Sequence, residues 1–85
     1  MSWKWVIDSK AAKELKKLPA EAGLRIVEKL DFWCEAGMPI RFAERLKEFE
    51  LGQYRFRVGD YRITFDVEDE VIIVLAVGHR KEIYR

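Results

Sequence analysis

Residues 54–67 read YRFRVGDYRITFDV, and this stretch decides the fold. Apolar and polar side chains alternate with a period of two on both sides of Gly59 and Asp60, a pair typical of a tight turn. Two antiparallel strands joined as a hairpin are therefore predicted. Beyond the acidic turn at residues 68–70, the run Val71–Val77 is apolar and rich in β-branched residues. It is predicted to be a central strand buried on both faces.

A strand and two helices are predicted upstream of this hairpin. Aromatic and aliphatic side chains alternate over residues 3–7, which indicates a short first strand. Apolar residues at helical spacing predict a helix over residues 10–18, and Pro19 ends it. A second apolar stripe over residues 26–33 predicts another helix, which ends at Gly37.

The predicted element order is β-α-α-β-β-β within a single domain that covers residues 1–85. The last three strands form an antiparallel meander, and the first strand pairs most simply beside the last one. Two helices then cover one face of the sheet, so the fold class is a two-layer α+β domain.

Composition excludes several classes of protein. Lys and Arg number 16 against 15 Asp and Glu, so the net charge of +1 gives little bulk attraction to nucleic acid or membrane. One cysteine and one histidine form neither a disulfide nor a zinc site, and no cofactor is expected. A lone thiol fits a reducing cytosol, and no apolar run reaches the length of a membrane span. We expect a cytoplasmic protein.

Charge concentrates on one predicted face of the meander. Strand alternation places Arg55 and Arg57 opposite Tyr54 and Phe56, and it places Arg62 on the same open face. No carboxylate is predicted between these arginines. Guanidinium groups bind phosphate bidentately, so the face fits an anion site. The alternative is that the three side chains are simply solvated.

Two stretches resemble the motifs of a known superfamily. Residues 54–63 resemble the core motif of the RelE/ParE toxin superfamily, and residues 77–84 (VGHRKEIY) resemble its closing motif. The RelE branch implies the toxin of a type II toxin–antitoxin system, an endoribonuclease that cleaves mRNA in the ribosomal A site. The implied chemistry is metal-free attack of the ribose 2′-OH on the adjacent phosphorus. The implied partners are mRNA on the ribosome, with its 16S rRNA, and a RelB-like antitoxin.

The resemblance also implies site residues. Arg55 and Arg57 stand where the family often has lysines, with Arg57 nearest a base role or an orienting role at the 2′-OH. Arg62 would stabilise the phosphorane, Arg80 would lie at the leaving group, and Tyr84 would stack on or orient the nucleotide. Two further basic residues could contact phosphate or ribosomal RNA: Arg45 and Lys47.

Two other functions remain open at the level of the sequence. The ParE branch shares the fold and inhibits DNA gyrase without cutting RNA. A catalytically attenuated relative would retain only antitoxin binding. His79 is predicted to pack at the edge of the sheet, and Cys34 to be a buried, inert thiol.

Overall fold

The computed structural model describes residues 2–47 and 52–83, in which strands and helices follow one another closely. In chain order they are β1 (Lys4–Ile7), α1 (Ser9–Lys16), α2 (Ala20–Ala36), a 3-10 turn (Pro39–Phe42), β2 (Glu44–Arg45), β3 (Tyr54–Val58), β4 (Tyr61–Glu68), β5 (Val71–His79) and α3 (Arg80–Ile83).

The strands form one sheet in the order β1-β5-β4-β3-β2. β1 runs parallel to β5, and the other neighbours are antiparallel. The predicted meander and the place of the first strand beside the last are confirmed, as is the α+β class. Three elements were not predicted: the 3-10 turn, the two-residue strand β2 and the short helix α3. None of them is long enough to show a periodic pattern.

The two long helices begin and end where their capping residues indicate. The Asp8 carboxylate accepts a hydrogen bond from the Ala11 backbone N–H at 2.8 Å, which satisfies a free donor at the start of α1. α1 ends at Lys16, before the predicted Leu18. α2 ends at Ala36, and its C-cap is the predicted Gly37, whose φ of 82° lies in the left-handed region that glycine adopts without strain.

The core lies between α2 and the middle of the sheet. The Trp33 ring stacks on Phe56 with centroids 4.1 Å apart, and Phe56 stacks on Phe65 at 4.3 Å. Ile26 and Leu30 of α2 are fully buried against the same layer. This apolar contact fixes which face of β3 turns toward the helices.

A bulge at Thr64/Phe65 changes the alternation along β5. Val77 pairs with Ile63, but Val74 pairs with Phe65, so the buried side switches from Val77 to Val74 and Ile72. The prediction that β5 is central is confirmed, because β1 and β4 flank it. The prediction that it is buried on both faces is wrong: Ile73, on the face away from the helices, is only half-buried.

The two hairpin turns differ in backbone conformation. Gly59 takes a φ of 59° in the β3–β4 turn. In the β4–β5 turn the positive φ values fall on Asp69 (50°) and Glu70 (63°), where a side chain is strained. In residues 2–47 and 52–83, no helix has the length and apolar character to cross a membrane.

Candidate functional site

The face of the sheet turned away from the helices carries two rows of paired residues. The first row crosses the sheet from β2 to β5 as Glu44, Arg55, Thr64 and Ala76. The second row contains Arg57, Arg62 and Gly78. Paired residues on neighbouring strands point to the same face, so the three arginines lie together as alternation predicts. We call these three residues, with Arg80 and Glu44, the arginine surface.

Arg55 is buried, with 7% of its surface exposed. Its Nη2 donates a hydrogen bond to Oε1 of Glu44 at 2.7 Å, which is a short, charge-assisted contact. The expectation that no carboxylate lies among the arginines is therefore wrong. The reason is β2, whose pairing with β3 brings Glu44 directly opposite Arg55.

Arg62 is equally buried, at 7% exposure. Its Nη1 donates to the carbonyl oxygens of Gly59 at 2.9 Å and Tyr61 at 3.0 Å. The guanidinium therefore bends back onto the β3–β4 turn and ties it to the sheet. The alternative prediction, that these side chains are simply solvated, is therefore wrong for both Arg55 and Arg62.

The other two arginines reach solvent. The side chain of Arg57 is 63% exposed, and its Nη2 lies 3.9 Å from the same Glu44 oxygen that Arg55 contacts. The side chain of Arg80 is 54% exposed, with its Nε 3.9 Å from Oδ1 of Asp60. The backbone N–H of Arg80 donates to the Asp60 carbonyl at 2.7 Å, which anchors this end of β5 beside the turn. A dissolved anion could reach both guanidinium groups.

Glu44 is the site residue that sequence reasoning missed. The hydrogen bond from Arg55 holds the pKa of its carboxyl below the ordinary value, and the charges of Arg55, Arg57 and Arg62 act in the same direction. It is therefore ionised at neutral pH, and its side chain is 47% exposed. Only the pairing of β2 with β3 identifies it, because a two-residue strand leaves no periodic signal.

The remaining predicted site residues lie at the margins. Arg45 pairs with Tyr54, so it faces the side opposite to Glu44, and both Arg45 and Lys47 are exposed. Tyr84 lies outside the described residues. Beneath the arginines, the Oγ1 of Thr64 is buried without a hydrogen-bond partner among the described residues.

His79 and Cys34 lie where the sequence placed them. The His79 ring meets the edge of Tyr61 with centroids 5.9 Å apart, and its Nδ1 accepts the Lys81 backbone N–H at 3.2 Å. Cys34 is buried, and its pKa is raised by that burial and by the nearby Asp31 carboxylate. Residues 2–47 and 52–83 contain no group of three or more His, Cys, Asp or Glu side chains that could hold a metal ion.

Comparison with known proteins identifies the family. A family model described as the ParE toxin of the type II toxin–antitoxin system parDE matches residues 6–84. Toxin RelG of Mycobacterium tuberculosis is 32% identical over 77 residues, which cover 88% of this chain and 87% of that protein.

Solved structures share the fold. One is the toxin–antitoxin complex RelBE2 from Mycobacterium tuberculosis (TM-score 0.81, 24% identity, 94% of this chain and 100% of that chain). Another is the RelB–RelE antitoxin–toxin complex from Methanococcus jannaschii (TM-score 0.73, 28% identity, 93% of this chain and 94% of that chain). The chain therefore belongs to the ParE toxin family of type II toxin–antitoxin systems, within the RelE/ParE toxin superfamily.

Proposed function

We propose that this toxin is a RelE-like endoribonuclease that cleaves mRNA in the ribosomal A site. One observation carries the proposal: the exposed Arg57 lies on the same sheet face as the ionised Glu44, with their charged groups 3.9 Å apart. Attack of a 2′-OH on phosphorus needs a group that takes the proton and positive charge that stabilises the phosphorane, and a carboxylate and a guanidinium can supply these two functions. The identity to Toxin RelG supports the same reading.

In the proposed reaction, the 2′-oxygen bonds to the adjacent phosphorus and the bond from phosphorus to the 5′-oxygen breaks. The products are a 2′,3′-cyclic phosphate and a 5′-OH end. Arg57 binds the non-bridging oxygens, whose negative charge grows in the phosphorane. Arg62 adds positive charge from beneath, and Arg80 donates a hydrogen bond to the leaving oxygen. In this scheme Tyr84 stacks on the nucleotide.

Glu44 takes the proton of the 2′-OH in this scheme. A guanidinium has five N–H donors and no acceptor, so Arg55 and Arg57 are poor bases. The lowered pKa of Glu44 makes it ionised but weakly basic. We therefore expect slow chemistry that depends on how the ribosome positions the mRNA, with the leaving oxygen protonated by solvent.

Two macromolecular partners follow from the proposal. Arg45 and Lys47 are exposed, although Arg45 faces away from the arginine surface, and both are available to contact phosphates of the 16S rRNA. A RelB-like antitoxin is the proposed protein partner, and the likeness to the toxin of the Methanococcus jannaschii RelB–RelE complex supports it.

The test is cleavage of a defined mRNA on programmed ribosomes, with new 5′-OH ends mapped by primer extension. We expect Arg57→Ala to reduce the cleavage rate by about a hundredfold, the typical cost of losing one donor to a developing oxyanion. Its melting temperature should not change, because the Arg57 side chain is largely exposed. Arg41→Ala is the matched control, because Arg41 is also exposed but lies in the 3-10 turn and not on the arginine surface.

If wild-type protein and Arg57→Ala cleave mRNA at the same rate, Arg57 is not part of the catalytic site. Absence of cleavage by wild-type protein would reject the nuclease. The second candidate is then inhibition of DNA gyrase, favoured by the match of residues 6–84 to the ParE toxin model. A supercoiling assay with purified gyrase distinguishes it from an attenuated relative that only binds antitoxin.

A further inference from the structure

Arg25, on α2, continues the positive charge of the arginine surface around the end of the sheet. A first side-chain carbon placed on Gly59 would lie 3.8 Å from Nη1 of Arg25, so the Arg25 guanidinium lies close to the β3–β4 turn. The carbonyl of the same Gly59 accepts a hydrogen bond from Arg62, and the next residue, Asp60, lies beside Arg80. Cations from both layers of the protein therefore meet at this turn, and Arg25 is the one on the helix layer.

An exposed aromatic ring lies farther along α2. Phe32 is 56% exposed and follows Arg25 by seven residues, which is about 10 Å along the helix axis and nearly two whole turns. A cavity of about 310 Å³ is lined by both of these residues, together with Glu28 and Lys29. Nζ of Lys29 lies 5.9 Å from the centre of the Phe32 ring. One concave surface thus combines an accessible ring with two cations.

The two cations of this cavity are available to an anion. Within residues 2–47 and 52–83, neither Arg25 nor Lys29 forms an ion pair with a carboxylate. Guanidinium and ammonium groups both bind phosphate. The ring beside them offers a face for a nucleobase, because every base can stack on an aromatic side chain. Phosphate binding next to stacking is the chemistry of a site for single-stranded nucleic acid.

Glu28 restricts which nucleotide fits the cavity. Its carboxylate repels a phosphate placed beside it. The same carboxylate can accept a hydrogen bond from the amino group of cytosine or adenine, which uracil does not have. The cavity should therefore prefer an amino-bearing base to uracil, with the phosphate turned toward Arg25.

We propose that Arg25 and Phe32 bind one nucleotide of single-stranded RNA outside the dinucleotide that is cleaved. The strand leaves the arginine surface over the β3–β4 turn, where Gly59 has no side chain to obstruct it. Arg25 binds the phosphate at the turn, and the base stacks on Phe32. The proposal rests on the proposed function only for the identity of the strand as mRNA.

The experiment measures binding of the full chain to a fluorescein-labelled oligocytidine of eight nucleotides by fluorescence anisotropy. All its 2′-oxygens are methylated, so it cannot be cleaved. We expect Phe32→Ala to weaken binding at least about fivefold, the loss expected for one base–aromatic stack. Leu24→Ala is the matched control, because Leu24 is also exposed on α2 but does not line the cavity. Neither variant should change the melting temperature.

The salt dependence of binding tests the phosphate contact. Arg25→Ala should lower the slope of log K against log salt by about 0.7, the value for one phosphate of a single strand. Arg41→Ala removes an exposed arginine outside the cavity and should leave the slope unchanged. Binding of oligocytidine should exceed binding of the equivalent oligouridine, and Glu28→Gln should reduce that preference.

The path over the turn is tested by removing a negative charge there. Asp60→Asn should tighten binding about twofold, because the strand passes its exposed carboxylate. Glu68→Gln removes the same charge at the opposite end of β4 and should have no such effect. Equal tightening by both variants would show general attraction to the protein and overturn the path.

Two results would overturn the whole proposal: no binding by wild-type protein, or equal binding by wild type, Phe32→Ala and Arg25→Ala. Both are read with a strand that cannot be cleaved. The failure of this site and the failure of the nuclease are therefore distinguishable.

Discussion

The arginine surface contains two kinds of arginine. Arg55 and Arg62 are buried and make short hydrogen bonds, to a carboxylate and to turn carbonyls. Arg57 and Arg80 are largely exposed, and each lies 3.9 Å from a carboxylate oxygen. Strand alternation therefore predicts which face of the sheet a side chain occupies, but not how deeply that side chain is buried. The buried pair builds the surface, and the exposed pair is free to bind phosphate.

The largest effect on stability is expected at Arg62. Arg62→Ala leaves the carbonyls of Gly59 and Tyr61 without their donor and opens a space under the turn. We expect a loss of about 3 kcal/mol in the free energy of unfolding, by denaturant titration. Arg57→Ala should change the free energy of unfolding by less than about 0.5 kcal/mol. Equal losses at the two positions would erase the distinction between buried and exposed arginines.

Glu44→Gln tests the ion pair that fixes Arg55. The glutamine keeps an acceptor but loses the charge, so we expect a loss of about 1 kcal/mol or less at pH 7, since the half-exposed carboxylate is screened by solvent. The pKa of Glu44 is lowered in the folded state, so its stabilisation is complete above the ordinary value of 4.5 and is lost as pH falls through the folded pKa. The wild type should therefore lose its advantage over Glu44→Gln in acid, measured by melting at a series of pH values. A constant difference down to the most acidic pH at which both fold would contradict this assignment.

Thr64→Val is predicted to stabilise the protein. Its Oγ1 is buried under the arginine surface without a described partner, and valine has nearly the same shape. Removing an unsatisfied hydroxyl should add about 0.5–1 kcal/mol to the free energy of unfolding. The matched change Thr64→Ser keeps the hydroxyl and should destabilise. Loss of stability in Thr64→Val would show that this hydroxyl has a partner.

The smallest effect on stability is expected in the β4–β5 turn. Glu70 has a φ of 63°, a conformation that glycine adopts without cost. Glu70→Gly should stabilise by about 0.5 kcal/mol, measured by thermal melting. Glu68→Gly, in the neighbouring β4 residue, is the control and should destabilise. A destabilised Glu70→Gly would indicate that its side chain offsets the backbone strain.

Much of the fold could be predicted because it depends on patterns of adequate length. Alternation over β3 and β4 and helical spacing in α2 each extend over enough residues to be unambiguous. The site could be predicted only in part. Glu44 lies in a strand of two residues, and the bulge at Thr64/Phe65 arises from the register between strands, which the sequence of either strand does not encode.

The parallel pairing of β1 with β5 has a consequence for synthesis of the protein. Lys4 pairs with Val71, and Ile7 pairs with Val74, so the sheet joins segments far apart in the chain. Non-local contacts of this kind form late, because closing a long loop costs conformational entropy before any contact offsets that cost. Until residue 74 has left the ribosome, β1 cannot pair along its full length with β5. The local β3–β4 hairpin can form earlier, but the complete sheet appears only after residues 71–74 have been synthesised and released.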